Sequence, residues 1–418
     1  MKTKLILLIL LITSWLAADP FLDSLQTKLP EVQGQHRYEI LRTLTKLMRE
    51  LDTPRSLVYA VQQKAAADEL AQASFQMDAR KNLAIAWYEN GFYGFSETEI
   101  TELKEMYTIA NLPAKIAYIN LVLGDIQIKK LNYSIAYNYY LEALGYYKDN
   151  FMQIEIAEVF SRLGYLSSLQ NKLDEALYNY QTAEKLYDEN DKDVKRSETF
   201  LEIAEIEQQQ GDYKSGWSHS GKAANTYENK VMLVQMVDAV IYQSNFAEQL
   251  DKEEWTLKNL QRIYRLMAGV KNEKAQILLL VKMAELTLDN DRSTSHDYLL
   301  HLEDLLKNAP LSEFSLEFNK KLYNLYQLMG DNPKAEKYFR SYWQEKSRLQ
   351  DRDRQSWQEI LDFYAENNLT IIAEKIDLQK QIKTNWIKLA VSLLVIWAAS
   401  FPILIMINKR KKLTGGER

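Results

Sequence analysis

The sequence has no cysteine, and glycine and proline are scarce, at 13 and 7 of 418 residues. Without cysteine the chain can form neither disulfides nor thiolate zinc sites, and it cannot carry a lipid anchor on a cysteine. Strands in a sheet need turn residues about every 8–12 positions, which so few glycines and prolines cannot supply. We therefore expect a fold that is almost entirely α-helical.

An excess of positive charge is also missing, because 52 Lys and Arg stand against 57 Asp and Glu, a net charge of −5. A chain with this balance has no general attraction for a phosphate backbone, so we expect no nucleic-acid partner. A single hydrophobic core stops growing at about 250–300 residues. The chain is longer than this, and it is expected to hold more than one compact core.

The N-terminus begins with two lysines, continues through a mostly apolar stretch at 5–16 and then reaches two small alanines. This stretch is too short to span a hydrocarbon core about 30 Å thick. A basic start, a short apolar stretch and small residues are together the layout of a secretory signal peptide. We predict a signal peptide at 1–18, cleaved after Ala18, and an N-terminal linker at 19–34.

The C-terminus carries a second apolar segment, at 389–407, with nineteen residues and no charge. At about 1.5 Å per helical residue it can cross the bilayer, and we predict one transmembrane helix there. A signal peptide followed by such a stop-transfer helix leaves the bulk of the chain outside the cytoplasm, with 408–418 as a short basic cytoplasmic tail. If the N-terminus is not cleaved, the chain is instead a tail-anchored cytoplasmic adaptor.

Between its ends the sequence repeats with a period of 40 residues, most clearly after Gly124 and Gly164. Each of these glycines is followed by a small residue 12 positions later, an aromatic residue 16 positions later and a second small residue 19 positions later. The two sets are Ala136, Tyr140, Ala143 and Ala176, Tyr180, Ala183, and weaker copies contain Ala204, Ala335 and Phe339. Small residues let two helices approach closely, and the aromatic is expected to fill the gap to the next repeat.

This pattern resembles the tetratricopeptide repeat, a helix–turn–helix unit. The resemblance implies an all-α fold, a right-handed α-α superhelix in which about eight 40-residue hairpins form a solenoid over 35–349. A juxtamembrane helix and the transmembrane helix would follow this solenoid.

The predicted juxtamembrane helix, at 350–388, is polar with sparse apolar positions. Leu369, Ile372 and Ile376 keep heptad spacing, which would let two copies form a homodimer through a short coiled coil. The spacing breaks after Ile376, so a solvated spacer helix fits equally well. The whole layout resembles the periplasmic sensor half of bacterial tetratricopeptide-containing membrane sensors, without the cytoplasmic effector. This resemblance implies a solenoid in the periplasm, on the bacterial inner (cytoplasmic) membrane.

No combination of residues in the sequence points to catalysis. Residues 216–223 read G-x-x-x-x-G-K, but Ala223 stands where a phosphate loop has the hydroxyl that holds magnesium. The four histidines lack the spacing that places two metal ligands on one helix face. We therefore expect no enzymatic activity, no cofactor and no metal site.

In the tetratricopeptide family, the first helix of each unit lines a concave groove at fixed positions around the small residue. Carried onto this chain, the groove residues are Tyr118, Asp125, Glu158, Tyr165, Glu198, Glu205, Gln208, Asp238 and Asn245. These positions are acidic with tyrosines, which would suit a basic protein or peptide partner. A solvated acidic face without a partner is the other interpretation. The predicted function is a membrane-anchored protein–protein interaction scaffold or the ligand-sensing half of a signalling system.

Overall fold

The computed structural model describes residues 18–270, 272–306 and 313–366, and all regular structure within these residues is helical. The α-helices are α1 (Ala18–Lys28), α2 (Gly34–Leu51), α3 (Thr53–Leu70), α4 (Ala73–Glu89), α5 (Tyr93–Ile109), α6 (Pro113–Lys129), α7 (Tyr133–Asp149), α8 (Gln153–Leu169), α9 (Leu173–Glu189), α10 (Asp193–Gln210), α11 (Tyr213–Asn229), α12 (Leu233–Ser244), α13 (Glu253–Met267), α14 (Glu273–Thr287), α15 (Arg292–Leu306), α16 (Glu313–Met329) and α17 (Asn332–Glu366). Short 3-10 turns lie at Leu29–Glu31 and Glu248–Leu250. The predicted all-α fold is confirmed.

From α2 onward the described helices pair in sequence order into eight hairpins, which we number 1 (α2 and α3) to 8 (α16 and α17). Each helix from α2 to α15 packs on the next one along the chain, and α16 contacts α17 through paired aromatic rings. In hairpins 3 and 4, helices of 17 residues alternate with three-residue turns, which accounts for the 40-residue period. The helix–turn–helix repeat predicted from the resemblance to tetratricopeptide proteins is confirmed. The chain divides into two compact units after Asp351, and the packing described here belongs to the first.

The turns from 91 to 251 all close in the same way. A residue in the left-handed region recurs every 20 positions: Ala71, Gly91, Asn111, Leu131, Phe151, Asn171, Asp191, Gly211, Val231 and Asp251. After each of these except Ala71, the next N–H donates to the carbonyl five residues earlier, as Asn132 N does to Gln127 O at 2.9 Å. This is the Schellman motif, which satisfies carbonyls that a helix end leaves without a partner. One turn geometry therefore sets the pitch of the array.

Close approach of the two helices in hairpins 3 and 4 depends on a glycine in the first helix. The ring of Tyr180 lies so near Gly164 that a Cβ there would be 2.8 Å from the ring Cδ1 atom, and Tyr140 crowds Gly124 in the same manner. Tyr140 also belongs to the same buried cluster as Val159 of hairpin 4. One ring therefore contributes to packing both within hairpin 3 and between hairpins 3 and 4. The predicted small positions Ala136, Ala143, Ala176, Ala183, Ala204 and Ala335 are all buried.

Hairpin 5 is packed differently, with a residue from hairpin 6. Ser220 stands where hairpins 3 and 4 have their tyrosine, and it is too small to fill the space. Phe246 enters from beyond the end of α12 and is fully buried, with its ring Cε1 2.6 Å from where a Cβ on Gly216 would lie. Gly216 stands at the position of Ala136 and Ala176, so a glycine on the second helix here admits an aromatic ring from the next hairpin.

Phe339, predicted as a repeat-packing residue, is 44% exposed. Its counterparts Tyr140 and Tyr180 rest on glycines, but the matching position of hairpin 8 is Tyr323. The ring of Tyr323 occupies the space, and Phe339 packs beside it with ring centroids 5.3 Å apart. Phe339 therefore packs on its own repeat through Tyr323 but stays partly exposed, because the aromatic inserts fully only where the first helix leaves room.

The stretch predicted as an N-terminal linker, at 19–34, is largely helical. Gln26 of α1 donates to the Tyr59 hydroxyl at 2.9 Å, and Leu29 packs on the core of hairpin 1. Residues 1–17 and 367–418 lie outside the described residues. They hold most of the predicted signal peptide, the later part of the predicted juxtamembrane helix, the predicted transmembrane helix at 389–407 and the predicted basic tail. Within the described ranges, none of the helices is long and apolar enough to cross a membrane.

We predict that Gly164→Leu destabilises the protein by about 1–3 kcal/mol or more, because a side chain at this position must displace the Tyr180 ring. The helical signal of the purified full-length protein, followed through thermal unfolding, measures the change. Lys172→Ala is the control, since this lysine is 55% exposed and forms only a surface ion pair. Equal unfolding midpoints for the two variants would contradict the packing.

We predict that Val231→Gly stabilises the protein by about 0.5–1 kcal/mol. Val231 holds a φ of 59° and is 75% exposed, so its side chain strains the backbone without contributing to the core. A left-handed conformation costs about 1–2 kcal/mol for a residue with a Cβ, and glycine removes this cost. Part of the gain is lost again, because glycine gives the unfolded chain more conformational freedom. Val231→Ala, which keeps a Cβ, should gain much less in the same thermal measurement, and an equal gain would refute the strain argument.

Candidate ligand-binding groove

A cavity of about 350 Å³ opens where the first helices of hairpins 3, 4 and 5 lie side by side. Its lining comprises Asp125 of α6, Glu158, Ser161, Arg162 and Tyr165 of α8, Tyr187 of α9, and Lys195, Glu198, Thr199 and Glu202 of α10. We call this the α6–α8–α10 cavity. Ligand pockets measure about 300–1,000 Å³, so this one has room for a side chain or a small polar group.

Helical spacing explains why these residues share one face. On α8, Glu158, Arg162 and Tyr165 follow one another at intervals of four and three residues. On α10, Lys195, Glu198 and Glu202 follow at intervals of three and four. Residues three and four apart lie on one side of a helix. The opposite sides carry the small packing residues, so the fold directs these polar side chains away from the core.

Of the nine predicted groove residues, Asp125, Glu158, Tyr165 and Glu198 line the cavity together. Tyr118, Glu205 and Asp238 are exposed and do not line it. Gln208 and Asn245 form contacts elsewhere: Tyr242 Oη is 3.4 Å from Gln208 Oε1, and Lys282 Nζ is 3.1 Å from Asn245 Oδ1. The structure therefore gathers four of the nine predicted residues, from three hairpins, and leaves the other five apart.

Arg162 is the first lining residue that the sequence analysis missed. Its Nε lies 3.2 Å from both carboxylate oxygens of Asp125, and its Nη1 lies 4.0 Å from Glu158 Oε2. Tyr140 donates to the same Asp125 through a 2.6 Å hydrogen bond. Burial and the neighbouring Asp125 carboxylate raise the pKa of Tyr140, which keeps this hydroxyl a donor. One part of the acidic groove is therefore already neutralised.

Glu202 is the second missed residue, and its environment is different. Ser161 Oγ donates to Glu202 Oε2 at 3.0 Å, and within the described residues this carboxylate has no ion-pair partner. Burial, and after it the charges of Glu198 and Glu205, raise the pKa of Glu202 to about 7 from an ordinary value of 4.5. Near neutral pH this carboxyl is thus divided between its protonated and ionised forms.

A signal for Arg162 and Glu202 was present in the sequence. Arg162 and Glu202 each stand two positions before the small residue of their repeat, Gly164 and Ala204. The groove positions carried over from the tetratricopeptide family do not include this place. A charged residue there in two consecutive repeats, on a turn that also holds Glu158 or Glu198, indicates a polar face.

The cavity combines four carboxylates with two cations, and Lys195 Nζ lies 2.9 Å from Glu198 Oε2. Tyr165 is 42% exposed and offers a flat ring at the edge, whereas Tyr187 is buried beneath. In the part of the chain that the structure describes, no three His, Asp or Glu side chains converge as metal ligands. Residues 216–223 lie within α11, so the sequence that looked like a phosphate loop forms no loop. The arrangement suits recognition of positive charge.

Comparisons with known proteins yield no family model and no curated protein that matches the chain. A STAND protein with a tetratricopeptide repeat sensor from Pyrococcus horikoshii is 17% identical with a TM-score of 0.49, over 73% of this chain and 48% of that one. The quorum sensor NprR from B. thuringiensis, in its apo form, is 11% identical with a TM-score of 0.49, over 78% and 93%. PilF from Pseudomonas aeruginosa is 18% identical with a TM-score of 0.38, over 59% and 97%. Identities and TM-scores this low support no conclusion about the ligand or activity of this chain.

We predict that Glu202→Gln stabilises the protein at pH 8 by about 1–3 kcal/mol and has no effect near pH 4. The pKa of Glu202 is raised on folding, so its favourable contribution is complete below pH 4.5 and is lost as the pH rises through about 7. Glutamine is neutral throughout and avoids that loss. Unfolding midpoints of the full-length protein across this range measure the difference, and a stability gain that does not depend on pH would contradict it.

Proposed function

We propose that this chain is a membrane-anchored, extracytoplasmic helical-repeat protein that binds a basic, extended segment of a partner protein or peptide. It would serve as an interaction scaffold or as the ligand-sensing half of a signalling system. In this proposal the successive hairpins stack into a right-handed superhelix, and the α6–α8–α10 cavity lies on its concave side. The observation that carries the proposal is the convergence of four carboxylates from three consecutive hairpins on this cavity, against two cations.

Three features of the cavity favour binding of a basic segment. Carboxylates that share a concave, partly desolvated surface concentrate their field there, which attracts positive charge. The exposed ring of Tyr165 adds contact area that loses little conformational entropy on binding. The even pitch of the hairpins gives the surface length, and repeat proteins use such surfaces to hold extended partners.

Binding accounts for the cavity better than catalysis does. The acidic side chains are held by salt bridges or hydrogen bonds to Arg162, Lys195 and Ser161. Ser161 donates to the Glu202 carboxylate, but no histidine stands among the lining residues to activate this hydroxyl as in a Ser–His pair. A scaffold or sensor requires only complementary shape and charge.

We predict that a peptide of alternating lysine and alanine binds the purified full-length protein, and that Glu158→Lys with Glu198→Lys abolishes binding. The double change reverses two lining charges, whereas Glu205→Lys should matter much less, because Glu205 does not line the cavity. The attraction is between partly exposed charges, so affinity should also fall steeply between low and high salt. Fluorescence anisotropy of a labelled peptide measures each of these effects.

Glu105→Lys is the matched control, because Glu105 is exposed on α5, away from the cavity. It changes the net charge of the protein by the same amount per substitution. The helical signal should be unchanged in every variant. If the double variant and the control bind the peptide as the parent does, the cavity is not the binding site and the proposal fails.

The membrane part of the proposal rests on the sequence at 1–18 and 389–407, and it predicts a topology. A reporter that is active only in the cytoplasm should be silent when fused after Asn308 and active when fused after Arg418. The opposite pattern would place the solenoid in the cytoplasm. Mass spectrometry of the mature N-terminus provides an independent measurement, since a chain that begins at Asp19 has been processed by a signal peptidase.

A further inference from the structure

The two halves of the α6–α8–α10 cavity differ in how their carboxylates are neutralised. On one side the guanidinium of Arg162 bridges Asp125 and approaches Glu158, so a planar cation already fits among acidic groups of this cavity. On the other side Lys195 pairs with Glu198, and Glu202 receives only the Ser161 hydroxyl. The cavity therefore holds one carboxylate that no protein cation neutralises, within the residues that the structure describes.

We propose that Glu202 is the residue that selects the ligand, and that it receives one organic cation, an ammonium or guanidinium group, in exchange for its proton. This inference rests on the proposed binding of a basic segment and assigns the residue that reads its charge. The exchange balances as follows: the neutral carboxyl and the ligand cation form an ion pair, and one proton leaves to the solvent. The net charge within the cavity is the same before and after binding.

Geometry indicates an organic cation rather than a metal ion. Calcium and magnesium need six or more oxygen ligands around one point, and in the described chain no such group of acidic side chains converges. A single carboxylate beside a hydroxyl and an exposed tyrosine edge instead suits a group on a side chain that can enter from the opening. The cavity of about 350 Å³ has room for such a group.

The charged and titratable groups around Glu202 support the exchange of a proton. These groups are Asp125 of α6, Glu158, Arg162 and Tyr165 of α8, Tyr180 and Tyr187 of α9, and Lys195, Glu198 and Glu205 of α10. Burial raises the pKa of both Tyr180 and Tyr187, so these two hydroxyls stay neutral near pH 7. Burial and the nearby glutamates raise the pKa of Glu202 to about 7, so its proton is available for exchange at neutral pH.

The test uses a tri-arginine peptide with both ends blocked and the purified full-length protein in detergent. Arginine does not titrate near neutrality, so the pH dependence reports the protein. We expect the affinity to rise about tenfold from pH 6 to pH 8, because only the ionised form of Glu202 pairs with the peptide. Calorimetry at pH 7 in two buffers of different ionisation enthalpy should show about half a proton released per peptide bound. A tri-citrulline peptide, neutral but of the same shape, should release none.

Glu202→Gln separates this inference from the proposed function. This variant should bind tri-arginine at pH 8 no better than at pH 6, without proton release, while Glu105→Gln keeps both effects. If the parent protein binds tri-arginine equally at the two pH values, or if Glu202→Gln retains the rise, Glu202 is not the selecting residue even though basic segments bind. If tri-arginine binds at neither pH, or calcium chloride competes with it at equal concentration, the inference is overturned. Loss of all binding of basic peptides would overturn the proposed function as well.

Discussion

The contact of a tyrosine ring with a helical glycine is the interaction on which both the array and its cavity depend. In hairpin 3 the ring of Tyr140 rests on Gly124, which sets how closely α6 and α7 approach. The buried hydroxyl must find a partner, and it donates to Asp125 at 2.6 Å. Asp125 in turn holds Arg162 of the next hairpin at 3.2 Å. A packing contact in the core thus continues, through one hydroxyl and one carboxylate, into the wall of the cavity.

The repeat could be predicted from the sequence because its causes are local. Schellman turns every 20 residues and small residues at helix contacts leave a periodic pattern that one sequence displays. What fills each contact is not local, as two repeats illustrate. Phe246 packs on Gly216 of the preceding hairpin, and Phe339 lies beside Tyr323, which stands where hairpins 3 and 4 have a glycine. The pattern identifies a position, whereas the volumes of facing residues decide which side chain occupies it.

The site could be predicted only in part, again because only its local causes leave a pattern in the sequence. Asp125, Glu158, Tyr165 and Glu198 follow from helix periodicity around the best-matched repeats. Asn245 does not, because α12 ends at Ser244 and a rule of helical spacing no longer applies beyond it. Arg162 and Glu202 were missed because a rule transferred by position carries no information about charge partners in three dimensions. The packing of α6, α8 and α10 side by side is needed to show that Arg162 has a partner of opposite charge and that Glu202 does not.

Unequal compensation of charge gives the cavity its physical character. Bringing four carboxylates onto one concave surface is unfavourable unless each is paired or protonated. The protein neutralises Asp125 with Arg162 and Glu198 with Lys195, so these two carboxylates are already paired in the empty fold. Glu202 is neutralised only by its own proton, a solution that fails as the pH rises through about 7. Ionisation of Glu202 lowers the free energy of unfolding of the protein without ligand, and pairing with a cation from outside restores it. The same carboxylate therefore couples the stability of the array, the pH and the occupancy of the groove.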